Sequence, residues 1–438
     1  MRFLSANWRI GMTGREASDD DGAWDSMQAL VIEKTIMHKA MCRRLAVVIT
    51  HPIQYYAPLF RLLSQHSGVQ LKVFYTWSQT QHRIFDIGFR QEVAWDIPLL
   101  EGYDYTFIPN VSRKPGCHHF MGIRNPSLIP AIEQWKPDAL LVFGWNYWSH
   151  LQVMRTFKHR IPIYFRGDST LIDEQLGMRK LMRRLFLRWV YRHIDFALYV
   201  GQHNRDYFLA HGLKASQLIY APHAVDNERF ADPDGEYATQ AMSWRAQLSI
   251  SREACVFLFA GKLIPKKNPL LLLQAFQDLQ PTNAHLLYVG NGELEHALKQ
   301  RVSGHSWLSS HVHFLPFQNQ SRMPVVYRLG DVMVLPSSYN ETWGLAVNEA
   351  MACGRPIIVS NRVGCAPDLV QPGVTGWIFE AGNKDELKEI LRQVVDMHQQ
   401  IPEQLQQIGM QAYQYIQNFS FNQLQNIIAK ITPEYHEA

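Results

Sequence analysis

No run in this 438-residue sequence approaches the roughly 18 apolar residues that would span a bilayer. The N-terminus, M-R-F-L-S-A-N-W-R-I-G-M-T-G-R-E, holds neither the continuous apolar core nor the small-residue cleavage site of a signal peptide. Cysteine is scarce. The five (Cys42, Cys117, Cys255, Cys353 and Cys365) are odd in number, and no pair has metal-ligand or redox spacing. A disulfide scaffold is excluded, and free thiols in a reducing, cytoplasmic setting are expected. Cys117-His118-His119 is the one local cluster of metal-binding residue types, and three adjacent ligands do not converge readily on one ion. Charge of one sign is missing too: the formal net charge is +4, and no base-reading motif accompanies it, so no nucleic-acid partner is expected.

What remains is a folded chain, 47% apolar and 19% charged, too long for one ordinary core. Residues 1–43 show no clear period, include Asp19-Asp20-Asp21, and are expected to be a poorly ordered extension, with Met37 and Met41 as alternative starts. From Leu45 short apolar runs alternate with amphipathic ones. L-A-V-V-I-T, V-Q-L-K-V-F-Y, D-A-L-L-V-F-G, I-P-I-Y-F-R and D-F-A-L-Y-V-G predict strands of a parallel, doubly wound α/β sheet over 44–225. Residues 226–254 are polar and rich in turn formers, and read as a linker. A second series follows over 255–410: C-V-F-L-F-A-G, H-L-L-Y-V-G, V-H-F-L-P-F, D-V-M-V-L-P and P-I-I-V-S. The Gln-rich remainder, 411–438, is expected to be a helical tail packing back on the first domain. Two such domains in tandem leave a cleft faced by strand C-termini and helix N-termini, where open α/β sheets bind ligands.

Three segments of the second series converge on one chemistry. In F-A-G-K-L-I-P-K-K-N-P, a strand ends at Gly261 and Lys262, Lys266 and Lys267 precede a helix that Asn268 would cap, with Pro269 as its first residue. Lysines beside a helix N-terminus favour an anion. Y-V-G-N-G-E places Gly290 and Gly292 at the next strand end, where backbone approaches a ligand closely. In N-E-T-W-G-L-A-V-N-E-A-M-A-C-G-R-P a helix opens near Gly344 between Glu341 and Glu349, and no capping box accounts for Glu341. Eight helical residues rise about 12 Å, the span of a sugar, two phosphates and a ribose. The plain alternative is a pair of solvent-exposed glutamates.

Glu341 and Glu349 reproduce the E-x7-E motif of retaining glycosyltransferases of family 4, and the chain resembles that family over most of 44–430. The resemblance implies the GT-B fold, two Rossmann-like domains facing a cleft. Gly261-Lys262 with Lys267 is similar to the family's basic pair at the donor diphosphate, and Gly290-Asn291-Gly292 to its glycine turn near the nucleotide. V-G-C-A-P-D (363–368) and G-V-T-G (373–376) resemble its closing segments. By the same resemblance Glu349 would bind the ribose hydroxyls and Glu341 the transferred sugar. The backbone of Thr342, Trp343, Gly344 and Leu345 would bind phosphate and sugar oxygens.

The first domain departs from the family's usual Gly-rich opening loop and has I-T-H-P-I-Q-Y-Y instead. It resembles the members with H-P-x-Q-Y, which puts His51, Gln54 and Tyr55 on the acceptor side. Asp168, after the strand I-P-I-Y-F, is a candidate to orient or deprotonate an acceptor hydroxyl, or is simply a turn residue. His223 and Asp226 read as hinge residues, and Asp232-Pro233-Asp234 as a turn. Residues 178–193 carry Arg179, Arg183, Arg184, Arg188 and Arg192 with no acid among them, the composition of a helix lying on an anionic membrane or of an ordinary solvated face.

The function expected is transfer of a sugar, without cofactor or metal, from a nucleotide diphosphate sugar, UDP-linked by default. The acceptor would be a hydroxyl of a glycan or lipid-linked molecule, and the anomeric configuration would be retained. Glu341, Lys262, Lys267, Asp168 and His51 are the catalytic candidates. A sugar-nucleotide epimerase of similar build and a non-catalytic nucleotide-sugar-binding subunit are the rivals; conversion of donor without acceptor would mark the first, and absence of turnover the second.

Overall fold

The computed structural model describes residues 43–66, 68–78, 84–86, 88–174 and 177–430. The expectations for residues 1–42 and 431–438 lie outside them.

The first half contains β1 (Arg43–Ile49), β2 (Val69–Tyr75), β3 (Ile84–Asp86), β4 (Gln91–Val93), β5 (Asp104–Phe107), β6 (Ala139–Phe143), β7 (Ile163–Arg166), β8 (Phe196–Tyr199) and β9 (Leu218–Tyr220). Seven of these form one parallel sheet in the order β5-β2-β1-β6-β7-β8-β9, while β3 and β4 pair only with each other as an antiparallel hairpin. The second half contains β10 (Cys255–Ala260), β11 (Ala284–Val289), β12 (Val312–Leu315), β13 (Val332–Leu335), β14 (Ile357–Ser360) and β15 (Gly376–Phe379), parallel in the order β12-β11-β10-β13-β14-β15.

The central strands are apolar without interruption because helices cover both faces of a parallel sheet. In β1, Ala46 and Val48 enter one core while Leu45, Val47 and Ile49 enter the other. β10 divides in the same way, with Val256, Leu258 and Ala260 on one side and Cys255, Phe257 and Phe259 on the other. Each sheet reverses its winding at the first strand of its half, β1 or β10, and an open sheet binds ligands outside the strand ends at such a point.

The strands expected from sequence are all present; the short β3, β4, β5, β9 and β15 were not foreseen, since three or four residues at a sheet edge or in a hairpin carry little period. Residues 226–254, expected as a linker, hold the helices Asn227–Phe230 and Glu236–Gln247, and Phe230, Ala241 and Ile250 are buried in the second core. The turn formers there are caps: Asp226 accepts from Arg229 N at 3.1 Å, and Asp232 accepts from Tyr237 N at 3.0 Å and Ala238 N at 2.8 Å. The helix Pro402–Ile416 packs on the second domain, and the chain then crosses back. In the helix Phe421–Lys430, Phe421, Leu424 and Ile428 are buried in the first domain's core, and Gln425 Nε2 donates to Leu62 O at 2.6 Å.

Candidate active site

A cleft of about 500 Å³ lies between the strand ends of the two sheets. Its second-domain wall starts at Gly261, directly after β10, whose φ of 154° no side chain tolerates well. Gly290, after the neighbouring β11, comes so close that a Cβ there would lie 2.1 Å from Gly261 O. The two loops therefore touch backbone to backbone. Gly292 serves the same packing, with Leu263 O 2.4 Å from where its Cβ would be, and does not line the cleft. Asn291 is likewise committed to structure: its Oδ1 accepts from Phe317 N at 2.7 Å and its Nδ2 donates to Glu295 at 2.9 Å.

After Gly261 a turn of 3-10 helix, Pro265–Lys267, leads into the helix Pro269–Leu279. Asn268 stands at the cap position, as expected, but its backbone is left-handed (φ 51°) and its side chain caps nothing. Lys262, Lys266 and Lys267 all line the cleft, each already engaged. Lys262 Nζ is 2.8 Å from Asp86 Oδ1, Lys266 Nζ donates to Asn340 O at 3.3 Å, and Lys267 Nζ is 2.6 Å from Glu341 Oε2.

Glu341 is buried and also accepts from Ser337 Oγ at 3.2 Å. Burial alone would raise its carboxyl, but Lys267, with Lys266 and Ser337 adding to it, holds it below the usual carboxylate range. The backbone that follows is braced by the segment 363–365. Gly364 N donates to Glu341 O at 2.9 Å, Cys365 N donates to Trp343 O at 3.0 Å, and a Cβ on Gly364 would fall 1.9 Å from Thr342 O. This explains V-G-C as a closing segment: only glycine lets the two chains lie so close. Trp343 is buried and donates from its indole to Asn348 Oδ1 at 2.8 Å. Gly344, at φ 98°, begins the helix Leu345–Ala352 with no side-chain cap, so the first amides of that helix meet the cleft uncapped.

Glu349 lies one turn and a half further along that helix and is 2% exposed. Its Oε2 accepts from Tyr327 Oη at 2.6 Å, while Oε1 is buried without a hydrogen-bond partner. Burial raises its carboxyl, against the Tyr327 hydroxyl, Arg229 and the Tyr55 hydroxyl, which lower it. A buried acceptor left open in a cleft is a place for a ligand hydroxyl.

The first-domain candidates divide. Gln54, Tyr55 and Asp168 line the cleft. Asp168 Oδ2 accepts from Thr342 Oγ1 at 2.9 Å, joining an acceptor-side candidate to a donor-side one across the gap. His51 does not line it: its Nδ1 sits 2.9 Å from Thr50 Oγ1, and burial lowers its pKa. His223 lines the cleft with its ring 5.4 Å from that of Trp343, and burial, with Arg166 beside it, keeps it neutral well below its ordinary pKa. Among the described residues, the ligand atoms of Cys255, Asp331 and His398 lie within 4.8 Å of one another, but Asp331 Oδ2 already holds Arg245 and Val256 N, and the trio is away from the cleft.

Sequence reasoning missed the hairpin β3–β4 and the loop after it. Asp86, Phe89 and Trp95 reach the cleft from the first domain. Phe89 packs edge-on against Phe317 at 4.6 Å, and Lys262 Nζ lies 4.8 Å from the Phe89 ring centroid. Ser321 N donates to Asp96 Oδ1 at 3.1 Å and Asn319 Nδ2 to Ala94 O at 2.6 Å, so the excursion straps one domain to the other. The available signal was a long stretch between β2 and β6 with no predicted element, interrupted by aromatics.

Residues 241–415 match the family model described as glycosyl transferases group 1. A D-inositol 3-phosphate glycosyltransferase from Streptomyces bingchenggensis is 30% identical over 230 residues, 50% of this chain and 48% of that protein. The lipopolysaccharide 1,2-N-acetylglucosaminetransferase of Salmonella typhimurium is 29% identical over 182 residues, 39% of this chain and 48% of that one. The chain thus spans about half the length of these curated relatives. Among solved structures, Anabaena HepE in complex with UDP and glucose superposes with a TM-score of 0.64 at 17% identity, covering 89% of this chain and 98% of that one. WaaG, a glycosyltransferase involved in lipopolysaccharide biosynthesis, gives 0.60 at 15% identity, covering 89% and 100%. The architecture is the GT-B fold: two Rossmann-like domains facing a common cleft.

Proposed function

We propose that this chain is a retaining glycosyltransferase. It moves a sugar from a nucleoside diphosphate sugar to an acceptor hydroxyl, using lysines rather than a metal ion to receive the leaving diphosphate. The observation that carries this is the arrangement around Gly344. Two carboxylates, Glu341 and Glu349, flank an uncapped helix start; three lysines line the same cleft, and Glu349 Oε1 is buried and open.

In the reaction the bond from the anomeric carbon to the donor phosphate oxygen breaks, its electron pair leaving with the diphosphate. Negative charge grows there, and Lys262, Lys267 and the amides of Leu345 and Ala346 meet it already in place. The acceptor oxygen attacks from the leaving-group face, and its proton passes to a donor phosphate oxygen. Glu341 holds the sugar hydroxyls, and Glu349 the ribose. Asp168 supplies an acceptor-side carboxylate once a ligand parts it from Thr342. Uridine is the proposed base, supported by the UDP bound in HepE; the acceptor is a glycan or lipid-linked hydroxyl, in keeping with the name of the Salmonella relative, whereas the Streptomyces relative is named for D-inositol 3-phosphate.

A panel of nucleotide sugars, assayed first for slow hydrolysis and then with candidate acceptors, tests the proposal. Lys262→Ala and Glu341→Ala are each expected to lose most transfer while EDTA has little effect. Normal turnover in either variant, or inhibition by EDTA that one divalent ion reverses, would contradict it.

A further inference from the structure

Among the described residues, six of the fourteen exposed large apolar side chains lie on one helix, Met178–Tyr191: Met178, Leu181, Met182, Leu185, Phe186 and Trp189. Met178 is 72% exposed, Met182 66% and Leu185 58%, so this is a patch and not scatter. Arg179, Arg183, Arg188 and Arg192 are exposed on and just after the same helix, and no acidic residue interrupts residues 178–193. Glu174 neutralises only Lys180 and Arg184, at 2.8 and 2.9 Å.

Beside this helix opens an apolar pocket of about 570 Å³. Phe186 and Trp189 form one wall, Trp145, Trp148 and Leu151 another, and Phe120 closes it. The Trp145 and Phe186 rings meet edge-on at 5.4 Å, and Phe120 meets Trp148 at 6.0 Å. Arg155 stands at the pocket with its guanidinium 5.7 Å from the Trp189 ring centroid.

The pocket also has a fixed relation to the cleft. Trp145 follows the end of β6 and Asp168 follows the end of β7. These strands are paired, Phe143 opposite Arg166, with Gly144 N donating to Arg166 O at 3.0 Å. The apolar pocket and the acceptor-side carboxylate thus emerge from adjoining strand ends.

We infer that the pocket binds the hydrocarbon chain of an anionic lipid that carries the acceptor hydroxyl, with the helix Met178–Tyr191 lying on the membrane that holds it. Exposed apolar side chains enter the acyl region, the arginines meet lipid phosphates, and the chain of one lipid turns into the aromatic pocket. Its headgroup is thereby delivered toward Asp168. This deepens the transfer activity proposed above and rests on it.

The test uses the full chain and vesicles of phosphatidylcholine alone or mixed with phosphatidylglycerol whose acyl chains are brominated, so that tryptophans in contact with a chain are quenched. The wild type is expected to sediment with the anionic vesicles only, to be released by salt, and to lose tryptophan fluorescence. Leu185→Glu with Met182→Glu should abolish sedimentation. Phe120→Glu, which keeps every tryptophan, should still sediment yet lose most of the quenching, and Phe120→Leu should restore it. Absent vesicle binding, or quenching unchanged in Phe120→Glu, would overturn the inference. So would a concentration-dependent dimer that Leu185→Glu dissociates, which would assign the face to a second copy. UDP binding, measured by calorimetry on the same proteins, should be unaffected by any of these changes. Its absence from all of them would count against the transferase proposal and not against the lipid site.

Discussion

Asp86 Oδ1 lies 2.8 Å from Lys262 Nζ, so a carboxylate of the first domain rests on a lysine that the proposed donor diphosphate requires. Gly88 N and Phe89 N also donate to that carboxylate, at 2.8 and 3.0 Å. Burial would raise its pKa, but Lys262 and the amides of Phe89 and Gly88 together outweigh this and keep it low. The hairpin tip thus stands in for an anion. Asp86→Asn is expected to tighten UDP binding by roughly twofold to fivefold, the scale of a partly exposed ion pair worth up to about 1 kcal/mol. Titration calorimetry at low and high salt measures this; weaker binding in the variant would mean that Asp86 assists the ligand instead of competing with it.

Lys267 and Glu341 form a buried pair, and losing one partner strands the other. Lys267→Ala should destabilise the fold by up to about 3–5 kcal/mol, because the buried Glu341 carboxylate then keeps only Ser337 and the charge of Lys266 to compensate it. Glu341→Gln should cost less, since Gln still accepts from Ser337. Both should lose transfer, so Lys262→Ala is the better probe of catalysis alone. The Glu341 carboxyl titrates below its ordinary value of 4.5, so its stabilising contribution is present above that pH and is lost as pH falls through the folded pKa. The stability gap between wild type and Glu341→Gln should therefore narrow in acid, as thermal melts across that range will register.

Glu349 predicts the opposite sign. Its folded pKa is raised above 4.5, so the group's stabilising contribution is complete below that value and lost as pH rises through the folded pKa. Glu349→Gln keeps an acceptor for Tyr327 and removes the buried charge. It should melt at a higher temperature than the wild type at neutral pH, with the difference vanishing in acid, while UDP binds more weakly. A variant that melts lower at neutral pH would mean that the charge is compensated by a partner such as Arg229.

Gly290→Ala should separate the two strand-end loops. A Cβ would meet Gly261 O at 2.1 Å, in a backbone with φ 135° that alanine resists. Strain of about 1–3 kcal/mol is expected, together with a loss of UDP affinity larger than the loss of stability, because the shift falls on the cleft wall. Paired melting and binding curves will distinguish this from a purely structural defect.

Much of this was legible in one dimension. Uninterrupted apolar runs such as A-L-L-V-F and C-V-F-L-F-A become strands because a doubly covered parallel sheet demands apolar residues on both faces. The lysine and glycine loops and the paired glutamates follow directly after such strands, so their place at the cleft is inherited from topology. Contacts remote in sequence were not legible. Nothing around Asp86 indicates that it will meet Lys262, nor around Asp168 that it will meet Thr342, because each pair depends on how the two sheets face one another. Asn291 and His51 each sit in a promising motif, yet hydrogen bonds with Phe317 N and Thr50 Oγ1 commit them to structure. Pattern and spacing decided which elements form and which residues end them, since these depend on local backbone preference and burial. Only the tertiary structure decided which charges are compensated and which acceptor is left open, since burial and pairing are properties of the packed whole.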